Sequence, residues 1–213
     1  MPGAEEKKHA VAARAALSAA DPSMAALIER IGPKSLADRR GPEEDAFASL
    51  ARIITGQQVS TSAARTIWTR VCGEFGGREP TATEAAEGEE RLRGCGLSGR
   101  KASYIAGIGA AIASGRLDPE AFSGADDEYV IEELVALRGL GPWSAEMFLM
   151  FHLGRPDVFS GGDLGLRNGI RIALELEEAP SPEEAVALAE RWRPQRTLAA
   201  IYLWAAVAVE LPS

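Results

Sequence analysis

The chain reads as an all-α protein, and three observations say so. Apolar residues recur at helical spacings of three, four and seven along most of its length. Alternating strand patterns closed by hairpin turns do not stand out. Glycine and proline, rather than long polar tracts, punctuate the periodic runs. The first run carries Phe47, Leu50, Ala51, Ile54 and Val59 and continues through Ile67, Trp68 and Val71. Others span residues 104–112, 130–137, 145–151, 166–174, 185–192 and 198–209. The breaks fall at Gly32-Pro33, Gly41-Pro42, Gly76-Gly77, Pro80, Gly115, Pro119, Gly161-Gly162, Pro180 and Pro194. No repeat of fixed period and no low-complexity linker interrupts this order.

A chain of 213 residues can bury a sizeable core as one domain or two packed lobes. Its 46% apolar and 25% charged content is that of an ordinary globular protein. No stretch approaches the roughly 20 apolar residues that span a bilayer, so no membrane partner is expected. The alanine-rich start, His9 to Ala20, carries Arg14 and makes a poor signal peptide. Cys72 and Cys95 are too few for a disulfide framework or a four-cysteine metal site. An intracellular, cytoplasmic location is the expectation. The net charge of -8 argues against a general nucleic-acid binder. Yet the acids, among them Glu5, Glu6, Glu87, Glu128 and Glu183, are expected in the tail and in connecting or surface helical segments. Arg93, Arg100, Lys101, Arg138, Arg167 and Arg171 are expected to gather near the turns discussed next. Weak non-specific affinity with a modest salt dependence follows.

The most informative stretch is Leu137-Arg138-Gly139-Leu140-Gly141-Pro142-Trp143-Ser144-Ala145, with Asp163 beyond it. Two glycines flanking one apolar residue between helices suit a tight hairpin that another backbone can approach. The amides opening the next helix, from about Pro142, would carry the positive end of its dipole and favour an anion such as a phosphate. Taken alone, the turn also reads as an ordinary helix corner.

The longer pattern, Leu-x-Gly-Leu-Gly-x-Trp-Ser-Ala, then Val158-Phe159 and Asp163-Leu164-Gly165-Leu166-Arg167, resembles the helix–hairpin–helix DNA glycosylase superfamily. Within it the chain is most similar to the 3-methyladenine DNA glycosylase II branch of alkylation-repair enzymes. Ile54-Thr55-Gly56-Gln57-Gln58-Val59-Ser60, Gly96-Leu97-Ser98-Gly99-Arg100-Lys101-Ala102 and Arg191-Trp192-Arg193-Pro194 leading to Tyr202-Leu203-Trp204 agree with that branch. The resemblance covers about residues 45–205. It implies two helical lobes with a DNA-facing cleft between them. The central lobe would run over 45–159. The other would join 21–44 to 160–213, with 1–20 as a tail or helix. Larger members carry an N-terminal β-rich domain; the match begins too early in this chain for one to be expected.

The resemblance places the catalytic carboxylate on Asp163. By position alone that residue is an ordinary N-cap, and the two roles are compatible. Breaking the N-glycosidic bond of an alkylated purine builds positive charge on the deoxyribose, which a fixed carboxylate stabilises. The base is already cationic, so no general acid and no cofactor are required. Bifunctional relatives use a hairpin lysine; Trp143 stands there, which implies a monofunctional enzyme. The base must be flipped out of the duplex, and Trp143 and Trp204 match aromatic positions of the pocket. Met147 and Leu164 stand where the branch has further aromatics. Core packing is the alternative reading for either tryptophan. Gln58, beside Gln57, falls on the side chain that fills the gap left by the flipped nucleotide; such a pair also suits a solvated loop. Gly139, Gly141 and Ser144 are the amides assigned to phosphate. Arg100 and Lys101 are assigned to the strand or else to a solvated face. Backbone carbonyls of Val135, Leu137 and Gly139 are candidates for a monovalent cation. The implied partner is double-stranded DNA with alkylated bases, acted on by a monomer, in the nucleoid. Two other readings stay open: a glycosylase for deaminated or mismatched bases, and a non-catalytic helix–hairpin–helix module.

Overall fold

The computed structural model describes the backbone of residues 4–36 and 45–210, and side chains of residues 8–36 and 45–209. Among them there are helices and turns and no strand, as the periodicity predicts. The chain divides into two compact units, one made of Met1–Gly41 with Gly154–Ser213 and the other of Pro42–Leu153. The boundary falls before the expected one: Val158 and Phe159 belong with the C-terminal helices. The expected 21–44 segment is described only to residue 36, and the Gly41-Pro42 break lies outside the described residues.

The discontinuous unit contains α1 (Ala4–Ala20), α2 (Pro22–Ile31), α10 (Leu164–Ala173), α11 (Pro182–Ala189), a 3₁₀ turn at Glu190–Trp192 and α12 (Arg196–Glu210). The N-terminal segment is therefore an integral helix, packed on α2 and α12. Helix α12 is the hub. Its Leu198, Ile201, Tyr202 and Leu203 are buried, as are Leu17, Met24, Leu27, Leu166 and Ile170 on the helices packed against it. Where α10 crosses α12, a β-carbon on Gly169 would lie 2.6 Å from the Leu203 carbonyl oxygen, so only glycine permits this approach. Three polar side chains tie the segments down. Asp21 caps α2 by accepting from the Ser23 amide (2.8 Å), and its other oxygen accepts from the Trp192 indole (2.9 Å). The Tyr202 hydroxyl donates to the Gly32 carbonyl and accepts from the Lys34 amide. Buried Thr197 donates to the Arg155 carbonyl and accepts from the Val158 amide, shaping the loop that leads to Asp163.

The continuous unit contains α3 (Ala46–Gly56), α4 (Thr61–Glu74), α5 (Ala82–Glu87), α6 (Glu89–Gly94), α7 (Gly99–Ala113), a 3₁₀ turn at Pro119–Gly124, α8 (Asp127–Val135), α9 (Pro142–Phe148) and a π-helical turn at Leu149–Leu153 that prolongs α9. Helix α7 packs against α3, α5 and α6, and α9 against α3 and α8. The core is Phe47, Leu50, Ile54, Val71, Leu92, Ile105, Ile108, Phe122, Val130, Leu134 and Phe148. Caps are local and regular. Ser60 accepts from the Ala63 amide, Ser98 from the Lys101 amide, and Thr81 with Glu84 forms a capping box. The Arg78 guanidinium and these hydrogen bonds hold the Glu84 carboxyl at about 2.

Candidate active site and nucleic-acid interface

The hairpin between α8 and α9 takes its shape from Gly139. That residue has φ 101°, in the left-handed region, and a β-carbon there would lie 2.3 Å from Cγ of Tyr104. Conformation and space both demand glycine. The Arg138 guanidinium lies 5.4 Å from the centroid of the same ring. The first amide of the α9 backbone ladder is Ala145, donating to the Gly141 carbonyl at 3.1 Å. The amides of Trp143 and Ser144 stand ahead of that ladder, where a helix presents its positive end.

Gln57 is tied to this hairpin. Its side-chain amide donates to the Gly139 carbonyl and to the Ser144 hydroxyl, both at 3.0 Å. Ser144 is only 2% exposed, so its hydroxyl serves Gln57 rather than solvent. The Lys101 ammonium donates to the carbonyls of Thr55 (2.9 Å) and Gln57 (2.6 Å). It thus closes the negative end of α3. Desolvation lowers its proton affinity below the ordinary lysine value. These contacts correct two expectations. Gln57 and Lys101 face the protein's own backbone instead of open solvent, because the α3 terminus leaves carbonyls that need donors. The Gly139 carbonyl also takes Gln57, and the Leu137 carbonyl takes the Leu140 amide. Each of these two carbonyls thus gives one of its two lone pairs to a donor within the protein. Among the described residues, no group of three or more His, Cys, Asp or Glu side chains could hold a metal.

Gln58 and Val59 are exposed, and Gln58 has φ 55°. Arg100 is exposed in the first turn of α7. The expected basic cluster is smaller than the sequence suggests. Arg93 pairs with Glu89 and Glu90, and Arg167 donates to the Pro180 carbonyl at 2.6 Å. On α9, Trp143 is half-buried and Met147 is 6% exposed, so Met147 belongs to the unit's core more than to an open wall.

In the other unit Asp163 is the N-cap of α10. Its Oδ1 accepts from the Leu166 amide at 2.8 Å and from the Trp204 indole N–H at 3.0 Å. A β-carbon on Gly165 would come within about 3 Å of both that oxygen and the indole; Gly165 leaves the room in which they meet. Two donors from different helices on one oxygen fix the carboxylate's plane. Trp204 is half-buried and acts first as a donor to Asp163, a role the sequence reading did not give it. Leu164, the next residue, is 62% exposed. Tyr104 was likewise missed. Only its place in an apolar run was visible, and its packing on Gly139 crosses 35 residues.

The sequence model for the HhH-GPD superfamily of base excision DNA repair proteins matches residues 51–195. A putative DNA-3-methyladenine glycosylase YfjP of Bacillus subtilis is 32% identical over 76% of this chain, which spans 58% of that protein's length. DNA-3-methyladenine glycosylase 1 of Schizosaccharomyces pombe is 33% identical over 88% of this chain and 83% of its own. The structure of the 3-methyladenine DNA glycosylase Mag1 from that yeast, solved in complex with abasic DNA, superposes with a TM-score of 0.84 at 32% identity. It covers 94% of this chain and 97% of that one. The chain belongs to the HhH-GPD superfamily of base excision DNA repair proteins.

Proposed function

We propose that this chain, a base-excision DNA glycosylase by family, hydrolyses the N-glycosidic bond of alkylated purines in double-stranded DNA and stops at the abasic site. The observation that carries the reading is the Asp163 carboxylate, locked by the Leu166 amide and the Trp204 indole. The relatives' names and the DNA complex of Mag1 support the substrate class.

A purine alkylated on a ring nitrogen is cationic. As its bond to C1′ breaks, the electron pair leaves with the base, which becomes neutral, and the sugar becomes an oxocarbenium ion. Asp163 stabilises that ion and orients a water, whose oxygen bonds to C1′ while its proton passes to solvent. No proton need be donated to the leaving base, and the reaction requires no cofactor. Two donors held in place before the reaction keep the carboxylate from rotating away as charge develops. Trp143 offers an indole face to a cationic ring, worth about 0.5–2 kcal/mol in such contacts. It also occupies the hairpin position where a lysine would form a Schiff base, so water rather than an amine attacks. The hairpin amides hold phosphate, Gln58 fills the vacated stack, and Arg100 grips the strand. The enzyme works as a monomer, with no membrane attachment, on DNA inside the cell.

The test is product analysis on a methylated duplex. Free methylated purine and a strand that breaks only in alkali are expected. A borohydride-trapped protein–DNA adduct, or strand cleavage without alkali, would overturn the monofunctional assignment.

A further inference from the structure

The loop from Gln57 to Ser60 is anchored at both ends and strained in the middle. At its start, Gln57 uses its side chain on the hairpin and its carbonyl on Lys101. At its end, Ser60 caps α4. Between them Gln58 holds a left-handed φ of 55°, which residues with a β-carbon rarely adopt without support. The loop and the hairpin are 82 residues apart in sequence, and the Gln57 amide bridges them directly. We infer that Gln57 and Lys101 are positioning residues that hold the wedge loop and the phosphate-binding hairpin as one preformed unit, without touching DNA themselves. This rests on Gln58 and the hairpin being DNA contacts, as proposed above.

The physical argument concerns what must be ordered when a nucleotide is flipped. A loop free to move relative to the hairpin would lose freedom each time Gln58 entered the stack. The Gln57 bridge removes that cost before DNA arrives. Lys101 contributes by neutralising the carbonyl end of α3 from which the loop departs. Its ammonium is engaged by two carbonyls and partly desolvated, unlike a lysine waiting for phosphate. The benefit is selective. Undamaged duplex needs no wedge, whereas a duplex with an abasic gap does.

The experiment measures binding of an abasic-site duplex and of the undamaged duplex of the same sequence, across a salt series. Gln57→Ala and Lys101→Met should each weaken abasic-site binding by about fivefold or more. Affinity for the undamaged duplex and the salt slope should stay near wild type. The penalty of Gln58→Ala should shrink in the Gln57→Ala background, because an unpositioned wedge has less to lose. Lys101→Arg, which keeps the donors, should recover part of the loss. Gln57→Met keeps the side-chain volume and controls for packing; thermal unfolding confirms that each variant is folded. Loss of affinity for both duplexes with Lys101→Met, and a salt slope flatter by about one, would make Lys101 a phosphate contact and overturn the inference. Independent, simply multiplying effects of Gln57→Ala and Gln58→Ala would overturn it as well. An unchanged abasic-site affinity for Gln58→Ala alone would instead refute the wedge reading, and the inference with it.

Discussion

A β-carbon on Gly139 would meet the ring of Tyr104 at 2.3 Å, and φ there is 101°. Gly139→Ala therefore combines a clash with a disfavoured backbone, a cost of at least about 2 kcal/mol. Urea unfolding should show that loss together with weakened DNA binding; an unchanged midpoint would mean the hairpin is less constrained than its geometry implies. Trp204 makes a different kind of contribution, through one N–H on Asp163. Trp204→Phe keeps an aromatic ring but removes the donor. Hydrogen bonds to charged groups are worth about 1.5–3 kcal/mol, so the single-turnover rate should fall roughly tenfold or more with little change in KM. A rise in KM at constant rate would assign Trp204 to base binding alone. Such long-range contacts explain what the sequence could and could not disclose at this scale. Gly139 and Asp163 leave local signatures, a positive φ and a helix cap, and both were legible. The partners Tyr104, Gln57 and Trp204 act across tens of residues, and nothing next to them in sequence marks their targets.

The buried carboxylate of Asp21, which is 4% exposed, ties the start of α2 to the 3₁₀ turn at Glu190–Trp192. It caps α2 and receives the Trp192 indole. Asp21→Ala removes a cap and strands a buried N–H, a combined cost of about 2–4 kcal/mol. Asp21→Asn keeps an acceptor and should cost clearly less. Chemical denaturation distinguishes them, and equal losses would contradict the hydrogen-bond account. The longer helices were readable because their apolar stripes are long. The short α5 and α6 and the 3₁₀ turn at Glu190–Trp192 were not separable, since six residues or fewer carry too little periodicity. The expected lobe boundary near 159 was misplaced for a related reason. Thr197 draws the 155–158 loop to α12, a tertiary bond that the sequence does not advertise.

An acidic chain that acts on DNA must concentrate its few available cations. The net charge is -8, and Arg93, Lys101 and Arg167 are engaged within the protein. Binding to undamaged duplex should therefore be weak, with a log–log salt slope no steeper than about −3. A slope near −8 would require many more phosphate contacts than that and would contradict this expectation. Among the described residues, no helix is long and apolar enough to cross a membrane.

In the proposed mechanism Asp163 carries the chemistry, and its substitution is the most direct test. Asp163→Asn preserves a side-chain oxygen for the Leu166 amide and replaces the charged carboxylate with a neutral amide. Single-turnover release of methylated purine should fall by about a hundredfold or more, with binding to abasic-site duplex and thermal unfolding little altered. Release at the wild-type rate by that folded variant would contradict the account.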